Sequence, residues 1–271
     1  MPTSMVTGKK TDFHNHLRSI SSLGDKHLGI LIGGESFRIA LSDNGSDDTI
    51  AYFNFDNISA EEIIKTFKPF GMDLGSVDIY SSDPQVTLIP EGIFAENNAD
   101  EIIEAVYGES RKHSLHSYLE SLQLYSIFRM EKEISLALGS CFPQMHVHHL
   151  ADTVITQSWA QRSFSSGHYF RLHLEGHALF IALFNGKELL LFNTQYIREA
   201  TDLVYHVLNT VQSSKVDNTS AEIGCSGELM TESESFILLK SYCPKTEFIQ
   251  PKNPNSDSRD FILDNHRYCE L

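Results

Sequence analysis

The sequence has few cysteines and few basic residues, which are what disulfide-rich proteins and nucleic-acid-binding proteins need. Only four of its 271 residues are cysteine, and they lie far apart with no CxxC pair: Cys141, Cys225, Cys243 and Cys269. This spacing predicts separate reduced thiols rather than a disulfide framework. Lysine and arginine total 21 against 36 acidic residues, which gives a net charge of −15. A general nucleic-acid binder needs a basic face to displace phosphate counterions, so the charge excludes that class and also argues against an anionic membrane surface.

Membrane spans and the common nucleotide and hydrolase motifs are also missing. No stretch reaches the roughly 18 consecutive apolar residues of a transmembrane helix. The polar N-terminus lacks the apolar core of a signal peptide, so we expect a cytoplasmic protein. The phosphate-loop patterns GxxxxGK(S/T) and GxGxxG do not occur, and neither does the nucleophile elbow GxSxG. The sequence therefore has no motif of a P-loop enzyme, a dinucleotide-binding domain or an α/β-hydrolase.

What the sequence does contain is a near-repeat of itself. Leu28–Asp43 reads LGILIGGESFRIALSD, and 142 positions later Phe170–Asn185 reads FRLHLEGHALFIALFN. In this alignment Gly34 falls on Gly176 and the apolar positions coincide; further along, Glu222 is aligned with Asp78. A repeat of about half the chain predicts two homologous domains that face one another, an arrangement that normally holds a ligand in the cleft between them.

Each half opens with the order β-β-β-α-β. Alternating apolar residues separated by glycine and Asn-Gly turns predict the three-stranded meander, and a capping box at Ser59–Glu62 opens the first helix. A meander followed by a helix and a parallel strand predicts a mixed sheet with helices on its faces. The expected strands are 27–33, 37–41, 50–55 and 77–80 in the first half, and 169–174, 178–184, 188–192 and 222–223 in the second.

The domain boundaries follow from composition and from the repeat. Residues 1–26 are polar and aperiodic, so they are predicted to form an extended N-terminal arm. The first domain is assigned to 27–165, with an inserted hairpin near 117–130, and the second to 166–271. A second capping box, Thr231–Glu234, is expected to open a late helix, whereas the tail 251–271 receives no element.

On this repeated pattern the chain resembles the actin-like ATPase superfamily, whose core is shared with ribonuclease H. The resemblance is closest to bacterial pilus-assembly and cell-division actin homologues, and to a small bacterial family of uncharacterised proteins. It implies an α/β fold of two βββαβαβα domains with mixed five-stranded sheets flanked by helices. It also implies a nucleotide cleft between the domains.

The family's catalytic motifs are where this sequence departs from the pattern. Each domain of the family opens with an Asp-x-Gly hairpin whose aspartate contacts the metal through water. Here Leu31 stands at the first aspartate position, and the second hairpin reads His173-Leu174-Glu175. Leucine has no oxygen to offer a hard cation such as Mg²⁺. The resemblance still implies a remnant nucleotide cleft made of glycine turns, with the residues Gly33, Gly34, Gly176, Gly224 and Gly227.

Other chemistry-bearing residues leave alternatives open. His146 and His148 are two apart on a predicted strand, a spacing that can chelate a metal, but no acid or thiol stands at a recognised ligand spacing. Glu175, flanked by two histidines, is a candidate acid/base group if the cleft is real. An ATPase would have to draw its acids from elsewhere, such as Asp78, Glu222 or Glu175.

The sequence therefore predicts a degenerate actin-like protein that acts as a non-catalytic scaffold or partner-binding module. We expect no catalytic residues, no metal, no cofactor beyond weak nucleotide binding, and another protein as the partner. The alternatives are a nucleotide-binding ATPase or kinase-like enzyme of the same superfamily and, third, a metal-dependent hydrolase. Whether the cleft is open and polar or filled with side chains distinguishes them.

Overall fold

The computed structural model describes residues 10–33, 36–44, 49–56, 59–70, 73–161, 167–251 and 258–265. The strands are β1 (Lys26–Gly33), β2 (Ser36–Asp43), β3 (Thr49–Asp56), β4 (Ser76–Ser81), β5 (Val86–Pro90), β6 (His113–Leu119), β7 (Leu124–Met130), β8 (His146–His149), β9 (His168–Glu175), β10 (Ala178–Asn185), β11 (Glu188–Tyr196), β12 (Glu222–Gly227) and β13 (Thr246–Phe248). The helices are α1 (Lys10–Ser19), α2 (Ala60–Phe67), α3 (Ala99–Tyr107), α4 (Lys132–Cys141), α5 (Leu150–Gln161), α6 (Ala200–Ser213), α7 (Glu234–Tyr242) and α8 (Phe261–Asp264).

Two five-stranded sheets repeat one topology. Their strand orders are β3-β2-β1-β4-β8 and β11-β10-β9-β12-β13. In both, the first strand pairs antiparallel with the second and parallel with the fourth. The 142-residue offset holds along the whole of β1 and β9, and of β2 and β10. The predicted mixed α/β fold with two five-stranded sheets flanked by helices is therefore confirmed.

The offset is not constant along the chain. Asp78 pairs with Gly29 in the first sheet, and Gly224 pairs with Arg171 in the second. The fourth strands therefore match with an offset of 146 residues, so the equivalent of Glu222 is Ser76. The sequence comparison that aligned Glu222 with Asp78 was wrong by two positions, because the segment between β10 and β12 is four residues longer than the segment between β2 and β4, whereas that alignment allowed for only two.

A third, smaller sheet lies within the first half of the chain. Its strand order is β5-β7-β6, and all its pairings are antiparallel. Strands β6 and β7 pair as a hairpin over residues 113–130, which overlaps the stretch 117–130 where a hairpin was predicted. Helix α3 packs beside it, with Ile103 and Ile127 buried in a separate cluster. This sheet and α3 thus share a small apolar core.

Three larger apolar clusters define the layers of the molecule. One lies between the first sheet and helices α1, α2 and α4, and another between the second sheet and helices α6 and α7. The third joins side chains of both sheets, α5 and α8. Strand alternation explains the division, because Phe170, Leu172 and Leu174 of β9 enter the outer cluster while Arg171 and His173 face the space between the sheets.

The N-terminal segment and the late capping box differ from their predictions. Within the expected arm 1–26, helix α1 buries Phe13 and Leu17, which lie one turn apart, against the first sheet. The Phe13 ring meets that of Phe53 edge-to-face at 5.0 Å. Helix α7 begins two residues later than predicted, because Ser233 rather than Thr231 is the N-cap and accepts the hydrogen bond from the amide of Phe236.

The boundary proposed at residue 165 lies outside the described residues, so the division of the chain at that point stays a prediction. The structure does place two segments in the space between the sheets. Helix α5, near the end of the predicted first domain, is buried from Leu150 to Ser158. Helix α8, assigned by sequence to the second domain, packs against β1 and β2 of the first sheet.

The aromatic contacts of α1 predict that this helix is part of the cooperative fold. Replacing Phe13 with alanine should lower the free energy of unfolding by about 3–5 kcal/mol, because a fully buried ring is lost and a cavity remains. The matched control is Asn15→Ala on the exposed side of the same helix, which should change stability by about 0.5 kcal/mol or less. Urea unfolding of both variants measures the difference; equal effects would show that α1 is not packed.

Candidate functional site

The space between the two large sheets is where the fold would place a ligand, and it is filled by the chain's own side chains. Helix α5 contributes Leu150, Val154 and Ile155, all at most 2% exposed. The segment Ser258–Asn265, here called the C-terminal plug, contributes Phe261, Ile262 and Leu263, all at most 1% exposed. The cleft expected from the repeat is therefore occupied by packed apolar side chains.

The C-terminal plug lies between the equivalent strands β1 and β9. A Cβ at Gly29 would lie 3.2 Å from Leu263 Cδ2, so the missing side chain at this position leaves room for the leucine. At the equivalent position of the second sheet stands Arg171, whose guanidinium carbon lies 4.9 Å from the centre of the Phe261 ring. The plug thus contacts the same position of both repeats.

Polar contacts tie the C-terminal plug to the first sheet and the two sheets to each other. Arg38 of β2 donates one hydrogen bond to the carbonyl of Arg259 and another to the Glu175 carboxylate, at the end of β9. Tyr52 of β3 donates its hydroxyl hydrogen to the Asp264 carboxylate. Burial raises the pKa of Glu175 even though the Arg38 charge opposes the shift, and burial together with Asp264 raises the pKa of Tyr52.

The two positions that carry the metal-contacting aspartate in the resembling family are buried here. Leu31 and His173 are 0% exposed. His173 Nδ1 lies 2.7 Å from the Ser226 hydroxyl oxygen. Burial, reinforced by the charges of Arg171 and Arg38, lowers the pKa of His173 well below its usual value, so the imidazole is neutral. Neither side chain provides the oxygen ligands that Mg²⁺ prefers.

The glycines proposed as a remnant nucleotide cleft occupy different settings. Gly33 ends β1 opposite Ser36, Gly176 takes a positive φ of 57° in the turn after β9, and Gly34 lies outside the described residues.

The remaining two glycines are required by close packing. A Cβ at Gly224 would lie 2.0 Å from the Tyr169 hydroxyl oxygen, and one at Gly227 would lie 2.2 Å from the Leu174 carbonyl oxygen. Gly227 also has a positive φ of 73°. Packing and turn geometry account for these glycines without a ligand, and their part in nucleotide binding stays a prediction.

The acids named for an alternative active site are far apart or already engaged. Glu222 pairs with Tyr169 at the start of β9, whereas Glu175 ends that strand. Six residues of extended chain separate the two ends, a distance of about 20 Å. Asp78 lies between two imidazoles, with Oδ1 3.3 Å from His146 Nδ1 and Oδ2 3.6 Å from His27 Nε2.

The histidines of β8 do not assemble a metal centre. His146 faces Asp78, while His148 stacks on Tyr80 with ring centres 5.6 Å apart. Burial, with a contribution from His146, lowers the pKa of His148 to about 4. Among the residues that the structure describes, no group of three or more His, Cys, Asp or Glu side chains is placed to hold a metal ion.

A buried hydrogen-bond network that the sequence did not predict stabilises the start of α5. Asp152 accepts hydrogen bonds from the Ser117 hydroxyl at 2.5 Å and from the His149 amide at 2.8 Å. The ring of His149 in turn reaches the Asp83 carbonyl oxygen at 2.8 Å. Burial raises the pKa of Asp152 to about 6 and lowers that of His149 to about 4. An acid three positions after the first residue of a helix start is a known capping pattern, and the sequence shows it at residues 149–152. The sequence does not show that Asp152 is buried.

An open groove lies outside the inter-sheet space. A cavity of about 760 Å³ is bounded by the end of β1 and by the first residues of α2 and α4. Its lining combines apolar side chains, among them Ile32, Phe37 and Ile134, with charges of both signs. At its edge, Lys112 Nζ lies 2.5 Å from Asp83 Oδ2 and 3.3 Å from Glu131 Oε1. Of the glycines predicted to bind a ligand, Gly33 lines this groove.

Solved structures share this architecture. A Bacteroides thetaiotaomicron protein described as having an actin-like ATPase fold and unknown function is 16% identical, with a TM-score of 0.76 over 89% of this chain and 96% of that one. A chain of a PilM–PilN type IV pilus biogenesis complex is 11% identical, with a TM-score of 0.61 over 90% of this chain and 99% of that one. At these identities the likeness establishes the actin-like ATPase fold alone.

Sequence comparison gives a family but no curated relative. Residues 16–246 match the profile of a family described as protein of unknown function, DUF3822. No curated protein matches the chain. None of the described helices is both long and apolar enough to cross a membrane.

The buried histidines predict how stability depends on pH. His148 and His149 have folded pKa values of about 4, below the usual 6.5, so the unfolded chain binds more protons between those values and stability should rise as pH increases from about 4.5 to 6.5. Asp152, with its pKa raised to about 6, opposes this trend between about 4 and 6.

The sign of each contribution can be tested by urea unfolding at a series of pH values. Asp152→Asn removes the opposing contribution while keeping a side-chain oxygen for the His149 amide, so its rise with pH should be steeper than that of the wild type. A flat or falling profile would contradict the lowered pKa of the buried histidines, and a shallower rise in Asp152→Asn would contradict the raised pKa of Asp152.

Proposed function

We propose that this chain, which belongs to the DUF3822 family of proteins of unknown function, is a non-catalytic actin-fold protein that binds another protein. The observation that supports this proposal best is the filling of the inter-sheet space by α5 and by the C-terminal plug. An enzyme of this fold would need that space for its nucleotide.

Displacing the C-terminal plug has a large cost. Phe261, Ile262 and Leu263 are buried, and burial of each such side chain is worth about 1.5–3 kcal/mol. A nucleotide entering between the sheets would also have to break the hydrogen bond from Tyr52 to Asp264, which is buried. Breaking a buried hydrogen bond leaves an unsatisfied group at a further cost of about 1–3 kcal/mol.

The two positions that would hold the metal for phosphoryl transfer carry no metal ligand of the required kind. Leu31 and the neutral His173 stand where the resembling family has aspartates, and Mg²⁺ neutralises the charge that develops on transferred phosphate. Neither position provides an oxygen ligand for Mg²⁺, and this supports a structural or binding role rather than catalysis.

A protein partner is supported by the groove and by one relative. The groove at the end of β1 combines apolar side chains with charges of both signs, which is the composition of a surface that takes a short amphipathic protein segment. The similar pilus biogenesis structure is a complex of two proteins. We place the protein in the bacterial cytoplasm, and its net charge of −15 opposes a role on nucleic acid.

The closed space predicts that neither adenosine nor magnesium stabilises the protein. The unfolding temperature in millimolar ATP with Mg²⁺ should equal that in tripolyphosphate without Mg²⁺ at matched ionic strength, because a ligand raises the unfolding temperature only by binding the native state. Thermal unfolding followed by circular dichroism measures both. An increase of several degrees specific to ATP with Mg²⁺ would instead favour the nucleotide-binding ATPase.

Partner binding at the groove can be tested with a matched pair of positions on α4. Lys132 lines the groove, whereas Leu136, which is 60% exposed, lies on the same helix outside its lining. A photo-crosslinking amino acid at Lys132 should form one defined protein adduct in the native cell, and the same group at Leu136 should not. The identified partner, once purified, should bind Lys132→Glu at least tenfold more weakly than Leu136→Ala. Equal adducts at both positions would place the interface elsewhere.

A further inference from the structure

We infer that Arg171 marks a binding site for an oxyanion, a phosphate or carboxylate group, which the C-terminal plug covers. The site is the inward face of β9, where Arg171, His173 and Glu175 alternate toward the space between the sheets. This goes beyond the proposed partner binding, because it assigns a ligand of stated chemistry to the inward face of β9. That face is different from the groove proposed for the partner and from the glycine turns.

One edge of the Arg171 guanidinium is unused. Its Nη1 donates to the carbonyl oxygens of Leu172 at 2.8 Å and Gly224 at 3.3 Å. Its Nε and Nη2 are buried and have no hydrogen-bond partner in the described part of the chain. These two nitrogens carry parallel N–H groups on one side of the guanidinium, the arrangement that takes the two oxygens of a carboxylate or phosphate.

The surroundings of Arg171 are positive and include a second polar nitrogen without a partner. His173 Nε2 is buried with no hydrogen bond among the described residues, and Glu175 Oε2 lies 3.9 Å from it. The other oxygen of Glu175 is engaged by Arg38, which holds this carboxylate at the far end of β9. Two arginines and an imidazole therefore face this inner space, and the one carboxylate of β9 is bound to Arg38 through one oxygen while its other oxygen has no hydrogen-bond partner among the described residues.

A fully buried guanidinium is expensive unless it is paired. Arg171 is 0% exposed, and removing a charge from water without a counterion costs several kcal/mol even after relaxation. The Phe261 ring, 4.9 Å away, supplies only the attraction of an aromatic face. This ring also lies 5.9 Å from the His173 ring, so one side chain of the plug packs against both residues. Moving Phe261 aside gives a ligand access to Arg171 and His173 together.

Arg171→Met tests the assignment in the intact chain, because methionine keeps the apolar volume and removes the charge. In a buffer of low-affinity anions, Arg171→Met should be as stable as the wild type or more stable, since an unpaired buried charge is lost. Inorganic phosphate, added at constant ionic strength, should then raise the unfolding temperature of the wild type and leave Arg171→Met unchanged. Citrate in place of phosphate tells whether the natural ligand is a phosphate or a carboxylate, and a response to either one supports the site.

Phe261→Leu, which shortens the covering side chain without emptying the space, provides the second arm. It should respond to phosphate at a several-fold lower concentration than the wild type, and adding Arg171→Met should abolish the response. Equal shifts with and without Arg171 would overturn the proposal, as would the absence of any shift in wild type and Phe261→Leu at saturating phosphate and citrate. None of these outcomes depends on ATP or Mg²⁺, so failure here leaves the proposed partner binding untouched.

Discussion

The rest of the molecule depends on the apolar seal between the two large sheets. Each sheet has one face covered by its own helices, and its other face must be covered by something. In this chain the covering is α5 and the C-terminal plug, whose side chains pack with Ala40 and Tyr80 of the first sheet and with Phe180 and Phe184 of the second. Because the seal joins both repeats, it sets their relative position and fills the space between the two sheets.

The polar residues at the seal follow from this arrangement. Arg38 donates hydrogen bonds to one oxygen of Glu175 across the two sheets and to the carbonyl of Arg259 in the plug, so one guanidinium connects three parts of the chain. A buried ion pair of this kind need not add net stability. Removing either partner would leave an uncompensated buried charge, so the pair constrains how β2 and β9 are placed relative to each other. The neutral imidazole of His173 belongs to the same setting, because both arginines and burial disfavour its protonation.

Much of the fold was readable from the sequence because it rests on local periodicity. The strands of the two meanders, the capped start of α2 at Ser59 and the inserted hairpin all follow from patterns within about ten residues. The 142-residue offset between similar segments further predicted that the two halves share one topology. The helix α1 was missed because Phe13 and Leu17 are only two apolar positions in a polar segment, and two positions do not establish a period.

The candidate site was less predictable, for a physical reason. The absence of an aspartate at Leu31 and at His173 was visible, but the filling of the inter-sheet space depends on Phe261–Leu263, which are more than 220 positions from β1 in the sequence. A short apolar run in a polar tail does not say which surface it covers. Unpaired donors on Arg171 likewise become visible only when the burial of every neighbour is known.

The docking of the C-terminal plug onto the first sheet is the central claim, and a double-mutant cycle between Tyr52 and Asp264 tests it most directly. The free energies of unfolding of Tyr52→Phe, Asp264→Ala and the double variant give the coupling between two residues 212 positions apart. The account predicts a coupling of about 1–3 kcal/mol, as for contacting residues in one hydrogen-bonded network. Additivity within about 0.3–0.5 kcal/mol would contradict it, because the two side chains would then not meet in the folded protein.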